Sequence, residues 1–352
     1  MIAEIAIAGR GIGPGRPPYI IAEMSANHLG QIDRAFAIID AAKDAGADAV
    51  KIQTYTADTI TIDHDGPEFR IKGGLWDGRT LYDLYREAHT PWDWHPRLFE
   101  HARARGIALF SSPFDSTAIA FLENLDAPAY KIASFEIVDI PLIQRAASTG
   151  KPLVISTGMA GMAEITEAVE AARDAGGGGI VLLHCVSGYP TPPEESNLLR
   201  LRSLAERFDV LVGLSDHTLG TACAIAAVAL GAVAIEKHLT LRRADGGPDS
   251  AFSLEPDEMH ALVRDSRIAF AALGSGEEVR AASESGNALF RRSLYIVRDV
   301  AVGELFTGDN VRSIRPGLGL PPKHLPDVMG RRAVRAVKRG TPLSWDMVAP
   351  KT

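Results

Sequence analysis

Cysteine is scarce. Cys185 and Cys223 are the only two in 352 residues, and they form no C-x-x-C pair. This excludes a disulfide framework, a zinc ribbon and a thioredoxin-type redox motif. Both sit in apolar runs and read as buried structural thiols. Long hydrophobic runs are also missing: the longest, Ala222 to Ile235, is too short to cross a bilayer. The N-terminus, Met1-Ile2-Ala3-Glu4-Ile5, has neither a basic segment nor an extended apolar one, so it does not read as a secretion signal. The expectation is a soluble, cytoplasmic protein. Basic clusters are absent as well. A formal charge of -7 with no polybasic run argues against nucleic acid and membrane surfaces as partners. An anionic small molecule would need lysines or arginines gathered locally in a cleft.

What the chain does have is a rhythm. Short apolar runs recur at Tyr19–Glu23, Ala49–Gln53, Ala108–Ser111, Ala129–Ile132, Leu153–Ser156, Ile180–His184, Val210–Leu214 and Ala234–His238. Helical patterns separate them, and Gly46, Gly106, Gly150 and Gly176 stand where those helices should stop. Strand–helix alternation of this kind implies parallel strands and right-handed crossovers. Roughly eight such units predict an α/β fold, a (β/α)8 TIM-type barrel. The Gly9-Arg10-Gly11-Ile12-Gly13 segment precedes the first strand of the series, so it reads as a loop after an N-terminal hairpin, not as a dinucleotide turn. The stretch Thr54 to Thr90 is too long for a barrel loop and reads as a substrate lid or a subunit-packing excursion. The barrel is assigned to residues 1–273 and a polar linker to 274–292. Residues 293–352 form a small second domain, with short strands expected at Ser293–Val297, Val311–Ile314 and Arg332–Ala336.

Alternation along a barrel strand sends one set of side chains to the helices and the other to the barrel axis. Val50 and Ile52 suit the helix layer, so Lys51 and Gln53 face inward; the same argument turns Lys131 inward. Polar residues gather at the C-terminal strand ends, where barrel active sites lie. Lys51 and Lys131 with Ser112, Ser134, Ser156 and Ser215 predict a phosphate pocket, since lysine supplies charge and hydroxyls supply short donors. An isolated inward lysine would more simply form a salt bridge. His217 and His238 end adjacent strands, so their imidazoles can share one divalent metal with open positions left for water and substrate. Glu23 comes near both when the barrel closes. It could bind the metal, orient a water, act as a general base, or pair with one of the lysines. His184 reads as a core or supporting residue, and His95 as a helix-packing one.

The blocks Lys51-Ile52-Gln53, Ser112-Pro113-Phe114, Tyr130-Lys131-Ile132-Ala133-Ser134, Ser156-Thr157-Gly158-Met159, Tyr189-Pro190-Thr191, Gly213-Leu214-Ser215-Asp216-His217 and Glu236-Lys237-His238 resemble those of the sialic acid synthases, in the same order along nearly the whole chain. Ser313-Ile314-Arg315-Pro316-Gly317 resembles that family's C-terminal antifreeze-like (SAF) domain. Gly73-Gly74-Leu75-Trp76-Asp77, Leu81-Tyr82 and Arg292-Ser293-Leu294-Tyr295 are most similar to the branch that makes pseudaminic acid. Ser187 and Ser112 depart from the N-acetylneuraminate branch, which points away from N-acetylmannosamine.

The resemblance implies an enzyme that condenses phosphoenolpyruvate with an open-chain amino-sugar by C–O cleavage. The sugar it implies is 2,4-diacetamido-2,4,6-trideoxy-altrose. It places Glu23, His217 and His238 in catalysis and His217 and His238 on a divalent metal, Mn²⁺ or Mg²⁺, with Co²⁺ able to substitute. Lys51, Lys131, Ser112, Ser134, Ser156, Ser187 and Ser215 go to phosphoenolpyruvate, and Gln53, Tyr189, Asp249 and Arg315 to the sugar. It further implies a domain-swapped homodimer in which Arg315 reaches the partner's barrel. The competing readings are an N-acetylneuraminate or legionaminate synthase, an aldolase using a lysine Schiff base, and a non-catalytic sugar-binding protein.

Overall fold

Each of the eight apolar runs forms a strand, and residue parity along it decides what faces the barrel axis. The computed structural model describes residues 4–351; residues 1–3, which begin the N-terminal segment read above, and residue 352 lie outside the described residues. Strands β1 (Ile5–Ile7) and β2 (Arg10–Ile12) pair as an antiparallel hairpin. The barrel strands follow: β3 (Tyr19–Glu23), β4 (Ala49–Thr54), β5 (Ala108–Pro113), β6 (Tyr130–Ile132), β7 (Leu153–Ser156), β8 (Ile180–Cys185), β9 (Leu211–Asp216) and β10 (Ala234–His238). They close in sequence order, all parallel, with β10 returning to pair with β3. The fold is therefore a TIM-type barrel, as the alternation predicted.

Helices α1 (Ile32–Ala45), α4 (His95–Arg105), α5 (Ser116–Glu123), α6 (Ile140–Ala147), α7 (Met162–Asp174), α8 (Arg200–Phe208), α9 (Ala222–Ala229) and α10 (Pro256–Leu273) surround it. The predicted stops hold at α1 and α4, where Gly46 and Gly106 take left-handed φ values of 87° and 67°. The long excursion between β4 and β5 carries two further short helices, α2 (Ala57–Ile60) and α3 (Leu81–Ala88).

Apolar side chains fall into two layers, as two-faced strands require. Ile20, Ala22, Val50, Ile52, Leu109, Ile132, Ile155 and Leu182 pack outward against the helices. Tyr19, Ile21, Ala49, Phe110, Val154, Val181, Leu183 and Leu211 fill the lower barrel interior, where Ile7 and Ile12 of the hairpin join them. Gly213 lies in this interior. A Cβ there would overlap the Ala234 carbonyl oxygen and the Leu183 side chain, so glycine is what lets β9 sit against β10. Continuing upward with the same parity gives Glu23, Lys51, Ser112, Lys131, Ser156, Cys185, Ser215, Glu236 and His238. The interior thus changes from apolar to ionic over about one strand length.

The chain divides after Gly274 into two units. In the second unit, β11 (Ser293–Ile296) and β12 (Val311–Ile314) pair antiparallel around a core that includes Leu294, Ile296, Phe306, Val328 and Leu343. The stretch read as a linker contains a 3-10 helical segment, Ala282–Phe290. Arg332–Ala336 is not a strand: the chain makes only isolated bridges there, Leu305 with Arg332 and Ala333 with Val348. Of its side chains only Ala333 joins the small core of this unit. Cys223 is half-buried, whereas Cys185 is buried.

Candidate active site

Register brings the ionic residues together. Glu23 sits opposite His238 on one side and Lys51 on the other. The Lys51 ammonium lies 2.7 Å from Glu23 Oε2 and 3.7 Å from Glu236 Oε2. It also donates to Ser112 Oγ at 3.3 Å. Ser215 Oγ donates to Glu236 Oε1 at 3.0 Å. Lys131 donates to the neutral Ile132 carbonyl oxygen (3.0 Å) and makes no ion pair among the described residues.

All four charged groups are buried, and burial sets their balance. Burial pushes the Glu23 carboxyl up, with Lys51 opposing and Glu236 adding to the rise. Burial also favours the neutral form of Glu236, but Lys131 and Lys51 outweigh it and hold this carboxyl below its ordinary range. Lys51 is pulled down by burial and held up more strongly by Glu23 and Glu236. Lys131 is lowered, chiefly by burial. Two ammonium groups therefore face one firmly ionised carboxylate and one that leans to neutrality. That leaves a positive excess in a low-dielectric cup, which suits an anion. Lys51 is thus both ion-paired and inward, so the simple salt-bridge reading and the anion-site reading meet in one residue.

Hydroxyls line the cup beside these charges. Gly158 N–H donates to Ser134 Oγ at 3.2 Å. A Cβ on Gly158 would overlap Ser134 Oγ and Ser187 Oγ, so this glycine lets both hydroxyls converge. Ser156 Oγ and Ser187 Oγ are buried without a hydrogen-bond partner. Unsatisfied buried hydroxyls cost about 1–3 kcal/mol each, and an anionic oxygen would satisfy them.

The imidazoles of His217 and His238 lie with ring centroids 5.4 Å apart. His217 Nδ1 is 3.0 Å from the Val186 carbonyl oxygen, which as acceptor leaves Nε2 the lone pair. His238 Nδ1 is buried and has no partner. Burial, with His217 beside it, keeps His238 well below the ordinary histidine range and so in the neutral, ligating form. Burial also lowers His217, but the neighbouring Cys185 thiol reverses this and holds it above its usual value. At this separation a nitrogen of each ring could hold one divalent ion between them. No cluster of three or more His, Cys, Asp or Glu ligands exists among the described residues, so an ion here would need oxygen ligands from water or substrate.

An aromatic wall rises from this pair. Tyr189 lies 4.4 Å from His217 and 5.3 Å from Phe252, ring to ring, and Phe252 lies 4.9 Å from His238. Trp76, from the long excursion, reaches Tyr189 at 5.6 Å, so the excursion does overhang the mouth. Gln53 Nε2 donates to Glu23 Oε1 at 3.5 Å, on the same side. Asp249 is buried, and its Oδ2 accepts from Ala26 N–H at 3.3 Å. Arg315 follows β12 in the second unit and is exposed.

Three groups were missed or underrated in the sequence. Glu236 shares the parity of His238, and that parity was the available signal. Glu136 sits on the 3-10 turn Ser134–Val138 after β6, where no strand parity applies. Burial raises its carboxyl to about 7 against the pull of Lys131, and its Oε2 has no partner. Cys185, read as structural, lies 3.8 Å from His217 Nδ1. His184 and His95 behave as read: His184 donates to the Ser196 carbonyl oxygen at 2.7 Å, and His95 Nε2 bonds Thr54 Oγ1 at 2.8 Å.

Known proteins share both the sequence and this architecture. Residues 38–278 match the model of the NeuB family, and residues 291–349 match that of the SAF domain. A pseudaminic acid synthase of Helicobacter pylori is 44% identical over 332 residues, covering 94% of this chain and 98% of its own. One from Campylobacter jejuni is 46% identical over 325 residues, covering 92% and 95%. The crystal structure of an N-acetylneuraminic acid synthetase from Leptospira borgpetersenii, in complex with citrate, superposes with a TM-score of 0.73 at 32% identity, over 82% of this chain and 95% of that one.

Proposed function

The chain belongs to the NeuB family, and on that premise we propose that it is a pseudaminic acid synthase. It joins phosphoenolpyruvate to 2,4-diacetamido-2,4,6-trideoxy-altrose, with water, to give pseudaminic acid and phosphate. The observation that carries this reading is the barrel mouth itself: a cationic, hydroxyl-lined cup beside an adjacent pair of imidazoles. An enol phosphate and an aldehyde need those two environments side by side.

In the cup, Lys51 and Lys131 hold the phosphate charge, while Ser112, Ser134, Ser156, Ser187 and Ser215 supply hydroxyls to its oxygens. The positions of Gln53, Tyr189 and Asp249 suit them to hold the sugar. A divalent cation, Mn²⁺ or Mg²⁺, held by His217 and His238 would supply Lewis-acid polarisation of the aldehyde oxygen. A bond forms between C3 of phosphoenolpyruvate and the aldehyde carbon as the carbonyl π bond opens, and the former aldehyde oxygen becomes a hydroxyl with a proton that the added water supplies. Glu23, whose burial gives it the proton affinity of a base working near neutrality, takes a proton from the water that adds at C2. The C2–O bond to phosphate then breaks, and the phosphate leaves onto the lysines that held it. The enzyme's part is positioning and fixed charge, with no covalent intermediate. The likeness to pseudaminic acid synthases, 44% and 46% identical over most of the chain, disfavours the aldolase reading.

The homodimer, and the place of Arg315 from a second copy in it, rest on the family resemblance alone. No helix among the described residues is long and apolar enough to cross a membrane. Mass spectrometry of the products from phosphoenolpyruvate and each of three sugars tests the function. The trideoxy-altrose should give the mass of pseudaminic acid; preferential use of N-acetylmannosamine or of the legionaminate precursor would reassign the enzyme within its family.

A further inference from the structure

The excursion between β4 and β5 contains a tight loop, ahead of α3, that leaves one side chain turned inward. Ile71 N–H bonds the Arg79 carbonyl oxygen and Gly78 N–H bonds that of Ile71, which pinches the loop at its base. Gly73, Gly74 and Gly78 take left-handed φ values of 78°, 73° and 82°, conformations that side chains resist. Lys72, Leu75 and Asp77 point to solvent, whereas Trp76 is half-buried. Its indole N–H donates to the Pro248 carbonyl oxygen at 3.0 Å, immediately before Asp249. Its ring faces Tyr189 at 5.6 Å, and Tyr189 faces His217 at 4.4 Å. Trp76 therefore stands one ring away from the imidazole pair, on the side from which a sugar must enter.

Trp76 and Tyr189 together present an aromatic surface, and the one polar atom of the indole is already bonded to the backbone. The ring faces accept methyl groups, including those of acetamido substituents, and give no partner to a hydroxyl laid against them, which would lose water without a new bond. Resting on the functional reading above, we propose that Trp76 is a specificity-determining residue that packs against the apolar substituents of a 6-deoxy, diacetamido sugar and disfavours a polyhydroxylated hexosamine. Discrimination of this kind in an apolar pocket is worth about 10–200-fold. Trp76 meets Tyr189 and the Pro248 carbonyl oxygen, and not the lysines and serines of the charged cup, so it should act on the sugar alone.

The test is steady-state kinetics of the full-length parent, Trp76→Ala and Trp76→Phe. Each is assayed with 2,4-diacetamido-2,4,6-trideoxy-altrose and with N-acetylmannosamine, and thermal melting checks the fold. In Trp76→Ala, KM for the trideoxy sugar should rise at least about tenfold, the preference between the two sugars should shrink by a similar factor, and KM for phosphoenolpyruvate should stay unchanged. Trp76→Phe, which keeps a ring and loses the bond to Pro248, should recover most of the preference. An unchanged preference in Trp76→Ala overturns the inference. So does a Phe variant as impaired as Ala, since that assigns Trp76 to anchoring the loop. A parent that fails to condense the trideoxy sugar overturns the functional reading first, and is distinguished from the other outcomes by needing no variant.

Discussion

Lys237 Nζ lies 2.7 Å from Asp216 Oδ2, with both side chains shut off from solvent, and each residue immediately precedes one imidazole of the pair. The same carboxylate's Oδ1 accepts from Thr218 N–H at 2.9 Å, and the ammonium also donates to the Thr218 carbonyl oxygen. The ion pair ties the end of β9 to the end of β10, the two strands whose ends carry His217 and His238. Removing one partner strands a buried charge, so Lys237→Met should cost about 3–5 kcal/mol. The double variant Asp216→Leu with Lys237→Met should recover part of that loss. Urea denaturation checks both; equal destabilisation of the single and double variants would refute the coupling.

Lys131 has a neutral backbone oxygen as its partner, while Lys51 is engaged with two carboxylates. The free ammonium is the one available to an incoming phosphate. Lys131→Met should raise KM for phosphoenolpyruvate by about 30–160-fold, the equivalent of a charge-assisted hydrogen bond of roughly 2–3 kcal/mol. KM for the sugar should change little. A phosphate-release assay measures both, and a change confined to the sugar would remove Lys131 from the anion cup.

A metal shared by His217 and His238 leads to a binding prediction independent of turnover. Mn²⁺ titration followed by electron paramagnetic resonance should show one tight site, weakened at least about tenfold in His217→Ala and in His238→Ala. Chelator should abolish condensation, and Mn²⁺ should restore it. Unchanged Mn²⁺ affinity in both variants would leave the imidazoles without that role.

Glu136 predicts a pH effect on stability. Folded, it keeps its proton to about 7; unfolded, it releases it near 4.5. Between those values the folded chain binds more protons than the unfolded one, so this group's contribution is full below 4.5 and is lost as pH rises through about 7. Glu136→Gln stays neutral and should lose that part of the slope, no more than about 2 kcal/mol given the partly open side chain. Urea midpoints at acid and mildly alkaline pH, compared with the parent, measure it. An identical slope in the variant would place the titrating proton elsewhere.

Lys51, Ser112, Lys131, Ser156 and His238 were legible because a barrel strand alternates strictly, so one apolar neighbour fixes the direction of the next side chain. Glu136 was not legible because it lies on a 3-10 turn, where parity has no meaning. Arg332–Ala336 was read as a strand but finds no continuous partner, only isolated bridges. Trp76 lies within a stretch recognised as a lid or packing excursion, yet nothing in its spacing said that its ring would reach Tyr189.

The sequence alone determined the barrel, the inward lysines and the adjacent imidazoles, because local periodicity sets strand direction and chain order sets neighbours. Tertiary structure decided how the charges are shared: Lys51 between Glu23 and Glu236, Lys131 left without an acid partner, and Glu23 driven toward its neutral form. Those outcomes depend on distances across the barrel axis and on exclusion of water, and neither is encoded by any short stretch of residues.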